Sequence, residues 1–393
     1  MQRSRLPAGG ANIFQKIRQK RADAQATGRK LIDLSIGEPK GPALRSAREA
    51  AQKAVMSDDE AMHAYQYNAS PAVPDFSRRF VNAHLGQKLP DDAVDFVPIP
   101  GIKPILGLLP LACGCALQDI VVATTTRPGY PIPADWCAYH VRVTHRALPL
   151  NIANGFRFSP GDIDSPTDLS MMNYPHNPSG QIATADWLRE LCRYCSDNDI
   201  RLFNDAAYYA LSHTRDSATL CEVAVDFPQL SWAEAFTAAK LIGNGTGWHV
   251  GALVGSPDFI ADVKEVKGKT DAGLVAPMAA GVIAALETDQ AGIDECRETY
   301  RDRLVLLTAI MSDSGMRLAI RPQAGFFTLW ETPVRAFGQA MGSAAEFNFA
   351  MIDRTGVVGV HFSDYVRYAV CADVAAVEGA LRAAFQSAAV GYE

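Results

Sequence analysis

Between residues 94 and 254, short apolar runs alternate with longer amphipathic stretches, and this alternation limits the chain to a small set of folds. The runs Val94–Ile99, Ile120–Thr124, Val141–Ala147, Leu169–Tyr174, Ile200–Asn204 and Val250–Val254 have the length and composition of strands. Helical patterns fall between several of them. In Asp186–Cys195, for example, Trp187, Leu188, Leu191, Cys192 and Cys195 recur at helical spacing. Apolar strands separated by amphipathic helices predict an α/β fold with a mostly parallel sheet between helices. In such a sheet, ligands bind where loops leave the carboxyl ends of the strands.

A chain of 393 residues exceeds what one hydrophobic core usually organises, so a second, smaller domain is expected. A long helix is predicted from Ile293 to Met311, with Tyr300, Leu304, Leu307 and Met311 on one stripe, and it would connect the two domains. A final helix is predicted to start near Asp373 as its N-cap, with Val374, Val377, Leu381 and Phe385 on one face. The first forty or so residues, including the basic segment Lys16–Arg21, are expected to pack against the small domain. The resulting division is an N-terminal segment at 1–45 that joins the small domain, a large domain at 46–290 and a C-terminal small α+β domain at 291–393.

Charge and composition remove several function classes. The formal net charge is −6 and no dense Lys/Arg block occurs, which argues against nucleic acid as a partner. The basic start, Met1–Pro7, is not followed by an apolar run, so no signal peptide is expected. The longest apolar stretch, Pro104–Leu117, is too short to span a bilayer and reads as a buried helix, so no membrane partner is expected. Eight cysteines are scattered, and the single CxxC, Cys192–Cys195, lies on a helix face without a second ligand pair. Buried reduced thiols, no metal site and a cytoplasmic location follow as expectations.

Three segments carry chemistry: Asn173–Gly180 (NYPHNPSG), Phe203–Tyr208 (FNDAAY) and Thr237–Lys240 (TAAK), each placed after a strand. Together with Ile36-Gly37-Glu38-Pro39 near the start and Val366-Arg367-Tyr368 near the end, they resemble the class I/II aminotransferases, the fold-type I group of enzymes that use pyridoxal 5′-phosphate (PLP). Any one fragment is weak evidence. Their order and spacing over nearly the whole chain are not.

The resemblance implies a role for each matching position. Lys240 would hold PLP as a Schiff base and, once freed, shuttle a proton at the substrate α-carbon. A lysine here is otherwise a solvated surface residue. Asp205 would keep the pyridine nitrogen protonated, where the plain alternative is a turn or N-cap aspartate. Asn177 and Tyr208 would donate to the phenolic oxygen of PLP; they could otherwise be a turn former and a core tyrosine. Gly101, Ile102 and Lys103 would offer backbone N–H groups to the phosphate, helped by the Thr237 hydroxyl. Tyr130 would stack on the cofactor face. Tyr67, in Tyr65-Gln66-Tyr67, would reach the phosphate in a neighbouring subunit, which implies a homodimer with shared active sites. Arg367 would grip the substrate α-carboxylate, and Gly37 would line the same pocket through its backbone.

The chain departs from the family pattern at two places. His249 stands after Trp248 where the family has an arginine on the phosphate, and the Lys240–Gly247 interval is one residue longer. The glycines of 243–247 could supply a backbone nest in its place. The segment Gly356–Asp364 is also compressed. The expected activity is transfer of an amino group between an amino acid and a 2-oxo acid. A lyase, synthase or cyclase of the same fold acting on an amino acid is the alternative, and a catalytically silent binding protein is a third reading.

Overall fold

The computed structural model describes residues 13–85 and 88–393; the basic stretch Met1–Pro7 lies outside the described residues. A seven-stranded sheet forms the centre. In chain order its strands are β1 (Asp95–Ile99), β2 (Ile120–Thr124), β3 (Val143–Ala147), β4 (Leu169–Met172), β5 (Arg201–Asp205), β6 (Trp232–Thr237) and β7 (Gly251–Gly255). Their spatial order is β1-β7-β6-β5-β4-β2-β3, and β7 alone runs opposite to the other six. The apolar alternation foretold every one of these except β6, which is buried along its whole length.

Period-two alternation splits the core between the two faces of the sheet. Phe203, Ala233, Ala235 and Leu253 pack on one face, and Leu202, Trp232, Phe236, Ala252 and Val254 pack on the other. The helix Ala185–Asp197 covers the second face with Leu188, Leu191, Cys192 and Cys195, all buried. All eight cysteines are free. Helices Arg45–Val55 and Ala276–Thr288 meet closely at Gly281, where a Cβ would come within 2.5 Å of the Ala47 carbonyl.

Because β1, β2, β4, β5 and β6 run in the same direction, their carboxyl ends lie along one edge of the sheet. The loops that follow them begin at Pro100, Thr125, Asn173, Ala206 and Ala238. That shared edge is where the chemistry-bearing segments come together.

The long helix spans Gln290–Asp313 and buries Tyr300, Leu304, Leu307 and Met311 as its stripe requires. Beyond it, four antiparallel strands in the order Val360–Phe362, Tyr365–Ala369, Phe327–Glu331, Leu318–Ile320 form a second sheet. The N-terminal helix Ile13–Ala26 packs here, with Ile17 and Ala24 against Ile352, Val358, Val360 and Phe362. Lys20 pairs with Asp353 at 2.6 Å, and Ile32–Asp33 adds a parallel two-residue strand to Val357–Val358. The compressed segment is a tight hairpin that turns at Ser363, whose φ is +42°.

Two sequence expectations need correction. Pro104–Leu117 is not one helix: Ile102–Leu106 and Leu109–Ala112 are separate, and Gly107 lies so close to Trp136 that a Cβ would be 2.6 Å from its ring. The last helix runs Glu378–Ala388. Asp373 instead accepts a hydrogen bond from the Ala376 N–H and starts the 3₁₀ turn Ala375–Val377.

Candidate active site

β5 ends in Asp205 on the sheet face that carries Phe203. Its carboxylate is buried and accepts the Ala207 N–H at 3.1 Å, and burial raises it to about 6. Beside it, Leu106, Thr125, Tyr130, Asn173 and Phe203 help line a small cavity. The Tyr130 hydroxyl is pushed above its ordinary range, chiefly by burial and secondarily by the Asp205 charge.

Lys240 ends a 3₁₀ turn after β6 that Thr237 caps by accepting the Ala239 N–H at 3.2 Å. Its Nζ lies 5.5 Å from the centre of the Tyr208 ring. Burial lowers the ammonium below the usual lysine range, and the Asp205 carboxylate partly restores it. Tyr208 is buried and held edge-on by Phe326 and Phe327, with ring centres 5.5 Å away in both cases.

Arg367 comes from the second sheet, opposite Leu329. It donates from Nη1 to Asn177 Oδ1 at 2.8 Å and from Nη2 to the Ser35 carbonyl at 2.7 Å. The guanidinium carbon lies over the Phe327 ring, 4.2 Å from its centre. Among the described residues its Nε has no partner and no carboxylate pairs with it, and burial lowers it to about 10. Gly37 packs beneath the same ring, because a Cβ there would meet Phe327 Cζ at 2.5 Å.

Asn173 ties these parts together. Its Nδ2 donates to the Asp205 carbonyl at 2.7 Å, and its Oδ1 accepts the Asn177 N–H at 3.0 Å. Behind it, the Asn204 amide holds both the N–H and the carbonyl of Tyr174 at 2.9 Å and donates to the fully buried Glu234 at 2.7 Å. Asn173, Ser35, Asn204 and Glu234 are structural members of the site that motif reading does not assign. The only sequence signal for them is polar residues at the ends or in the middle of apolar strands.

The residues expected at the phosphate offer mainly backbone. Gly101 has φ +79° and open space where a Cβ would sit, and it precedes the helix Ile102–Leu106, in which Lys103 is exposed. The Thr237 hydroxyl is buried nearby on the same sheet edge. His249 is exposed, and its imidazole has no hydrogen-bond or ion-pair partner among the described residues. Its backbone is left-handed (φ 55°, ψ 50°) directly after the 3₁₀ turn Thr246–Trp248. A right-handed residue followed by a left-handed one turns consecutive N–H groups to one side, the geometry of an anion nest.

The structure therefore brings Lys240, Asp205, Tyr208, Tyr130, Asn177 and Arg367 into one cluster. Tyr67 is not part of it. It is 56% exposed and, among the described residues, its ring meets only that of Tyr65, tilted at 57° with centres 5.6 Å apart.

The sequence model of the aminotransferase class I and II family matches residues 29–383. The chain belongs to this family. The LL-diaminopimelate aminotransferase of Desulforudis audaxviator is 28% identical over 370 residues, covering 91% of this chain and 88% of that protein. Among solved structures, a substrate-bound BacF from Bacillus subtilis superposes with a TM-score of 0.82 at 21% identity, over 97% of this chain and 95% of that one. A probable N-succinyldiaminopimelate aminotransferase from Thermus thermophilus gives 0.81 at 19% identity, over 96% and 100%. These two structures share the fold-type I architecture. Class I and II aminotransferases are PLP-dependent, and the residues here fit that cofactor. A buried carboxylate at Asp205 suits a pyridinium, a half-buried amine at Lys240 suits an aldehyde, and the open cradle at Gly101 suits a phosphate. No group of three or more His, Cys, Asp or Glu among the described residues could hold a metal ion, and no helix there is long and apolar enough to cross a membrane.

Proposed function

We propose that this aminotransferase exchanges the amino group of an α-amino acid for the oxo group of a 2-oxo acid, with Lys240 as the cofactor-holding, proton-moving amine and Arg367 as the α-carboxylate clamp. The observation that carries the reading is Arg367 itself. A buried guanidinium whose only hydrogen-bond partners among the described residues are neutral oxygens lacks a counter-ion among them. A bound α-carboxylate is the anion it needs.

When bound, PLP supplies an aldehyde that condenses with amines and a protonated ring that withdraws electrons. Asp205, at about 6, is ionised at neutral pH and stabilises a cation beside it. The Lys240 amine, made a weaker base by burial, takes and returns a proton more readily near neutral pH. Asn177 turns its Oδ1 to Arg367, which leaves its Nδ2 as a donor for the phenolic oxygen, shared with the Tyr208 hydroxyl. Tyr130, which lines the cavity beside Asp205, would cover one face of the cofactor ring and exclude water. The phosphate would be held by N–H groups at Gly101, Ile102 and Lys103, by Thr237, and by the backbone at Trp248–His249 in place of a guanidinium.

The assembly is read as a cytoplasmic homodimer with shared sites. Val55, Met56, Tyr65, Tyr67 and Val275 are large apolar side chains left exposed. A groove of about 350 Å³ lined by Ala51, Val55, Met56, Trp248 and Met278 adjoins them. Pairing over this face would cover it and carry Tyr67 to the partner's phosphate. The eight free thiols suit a reducing compartment. Both chain ends would form the small domain, with boundaries near residues 45 and 290.

Borohydride reduction and peptide mapping should place the cofactor on Lys240. Addition of amino acid alone should release one equivalent of 2-oxo acid per site and no ammonia; stoichiometric ammonia would instead establish elimination. A donor panel that includes LL-diaminopimelate and its N-succinyl form defines the substrate, and solution mass tests the dimer.

A further inference from the structure

Lys267 is the one lysine among the described residues that is fully buried. Its Nζ sits 2.8 Å from Asp271 Oδ1, 3.1 Å from Asn68 Oδ1 and 3.5 Å from the Tyr67 carbonyl. An ammonium has three protons, and here each has an acceptor in one of two short loops. The same Asp271 oxygen accepts the Gly273 N–H at 2.8 Å, and the Ala272 carbonyl accepts the N–H groups of Gln66 and Tyr67 at 3.0 and 2.8 Å. Asn68 closes the junction by donating to the Lys264 carbonyl at 3.1 Å.

Two backbone features show how tightly the loops interlock. Gly273 has φ +95°, and a Cβ on it would lie 2.5 Å from the Tyr67 nitrogen. Tyr67 itself is held at φ +47°, which an aromatic residue adopts only when its surroundings impose it. A buried charge and a left-handed tyrosine are both unfavourable taken alone. The product of this arrangement is a backbone that projects the Tyr67 ring into solvent.

We propose that the buried Lys267 and the partly buried Asp271 form a clamp that positions Tyr67 for the cofactor phosphate of the neighbouring subunit. The proposal rests on the shared-site reading of Tyr67 given above. Lys267 is a positioning residue: it touches neither substrate nor cofactor, and acts by fixing the backbone from which the tyrosine hydroxyl is delivered. Its effect is therefore confined to the phosphate end of the cofactor.

Phosphate dependence supplies the test. Full-length protein stripped of cofactor is titrated with PLP and with phosphate-free pyridoxal, in parallel with mass measurement of the dimer. Lys267→Met and Asp271→Asn should each raise the Kd for PLP about tenfold, the equivalent of losing one charge-assisted hydrogen bond of roughly 1.4 kcal/mol. The Kd for pyridoxal and the dimer mass should stay unchanged. Tyr67→Phe should reproduce the tenfold loss and add nothing when combined with Lys267→Met. Equal weakening of both ligands, or loss of the dimer in both clamp variants, overturns the positioning role. Unaltered PLP affinity in the clamp variants beside a weakened Tyr67→Phe overturns it too, while leaving the tyrosine's own role intact. Unaltered affinity in Tyr67→Phe removes the shared-site reading beneath it.

Discussion

Replacing Arg367 by methionine separates the need for a substrate carboxylate from the needs of the fold. Burial takes the guanidinium from 12.5 down to about 10, which is roughly 3 kcal/mol against the charged form. The hydrogen bonds to Asn177 and Ser35 return about 1.5 kcal/mol each, so the ligand-free site stands close to balance. Methionine occupies similar apolar volume over Phe327, and the change in unfolding free energy should stay within about 2 kcal/mol. Binding of an α-carboxylate has no such offset. Losing one partner of a buried, hydrogen-bonded charge pair costs about 2–5 kcal/mol, so kcat/KM should fall roughly 30- to 5000-fold. The assay is the single-turnover release of oxo product from an α-amino acid and from the amine that lacks only its carboxylate. Arg367→Met should lower the first rate strongly and leave the second nearly unaltered. Equal losses on both substrates, or no loss on either, would refute the clamp.

Three further outcomes follow from the same geometry. Asp205, at about 6, must ionise to pair with a pyridinium, so PLP affinity should strengthen as pH rises through 6, by up to about tenfold per unit below it. Asp205→Asn should abolish the part of this dependence that the carboxylate causes and weaken affinity roughly 10- to 1000-fold, as measured by Kd between pH 5 and 8. Glu234 is raised to about 7 by burial, above its ordinary 4.5, so the folded state holds its proton more tightly than the unfolded one. Stability should therefore fall as pH climbs from about 4.5 to about 7, by at most about 3 kcal/mol, and urea unfolding of Glu234→Gln should lack that share of the slope. Gly37→Ala would drive a methyl into Phe327, on which Arg367 rests; KM for the amino acid should rise about tenfold with a smaller change in kcat.

Much of the site could be read from the chain because its chemistry is written in side chains at strand ends. Asp205 and Asn177 each follow an apolar run that alternation picks out, five such runs end on the same sheet edge, and Lys240 follows β6 there. Lys267 carried no such signal: with Asp271 four residues on, it looks like an ordinary solvated helix pair. Glu234 was hidden for a similar reason, since β6 was not among the strands that alternation picked out and a glutamate in it breaks the apolar pattern.

The linear order of residues determined which groups are present, where strands end and therefore what the loops after them carry, because periodicity and turn chemistry act within a few positions. Only the tertiary structure decided which groups meet. Asn177 and Arg367 are 190 residues apart, and Lys267 and Tyr67 are 200 apart. Such pairs are selected by burial and by the demand that every enclosed charge find a partner, conditions that exist only once the chain has closed on itself.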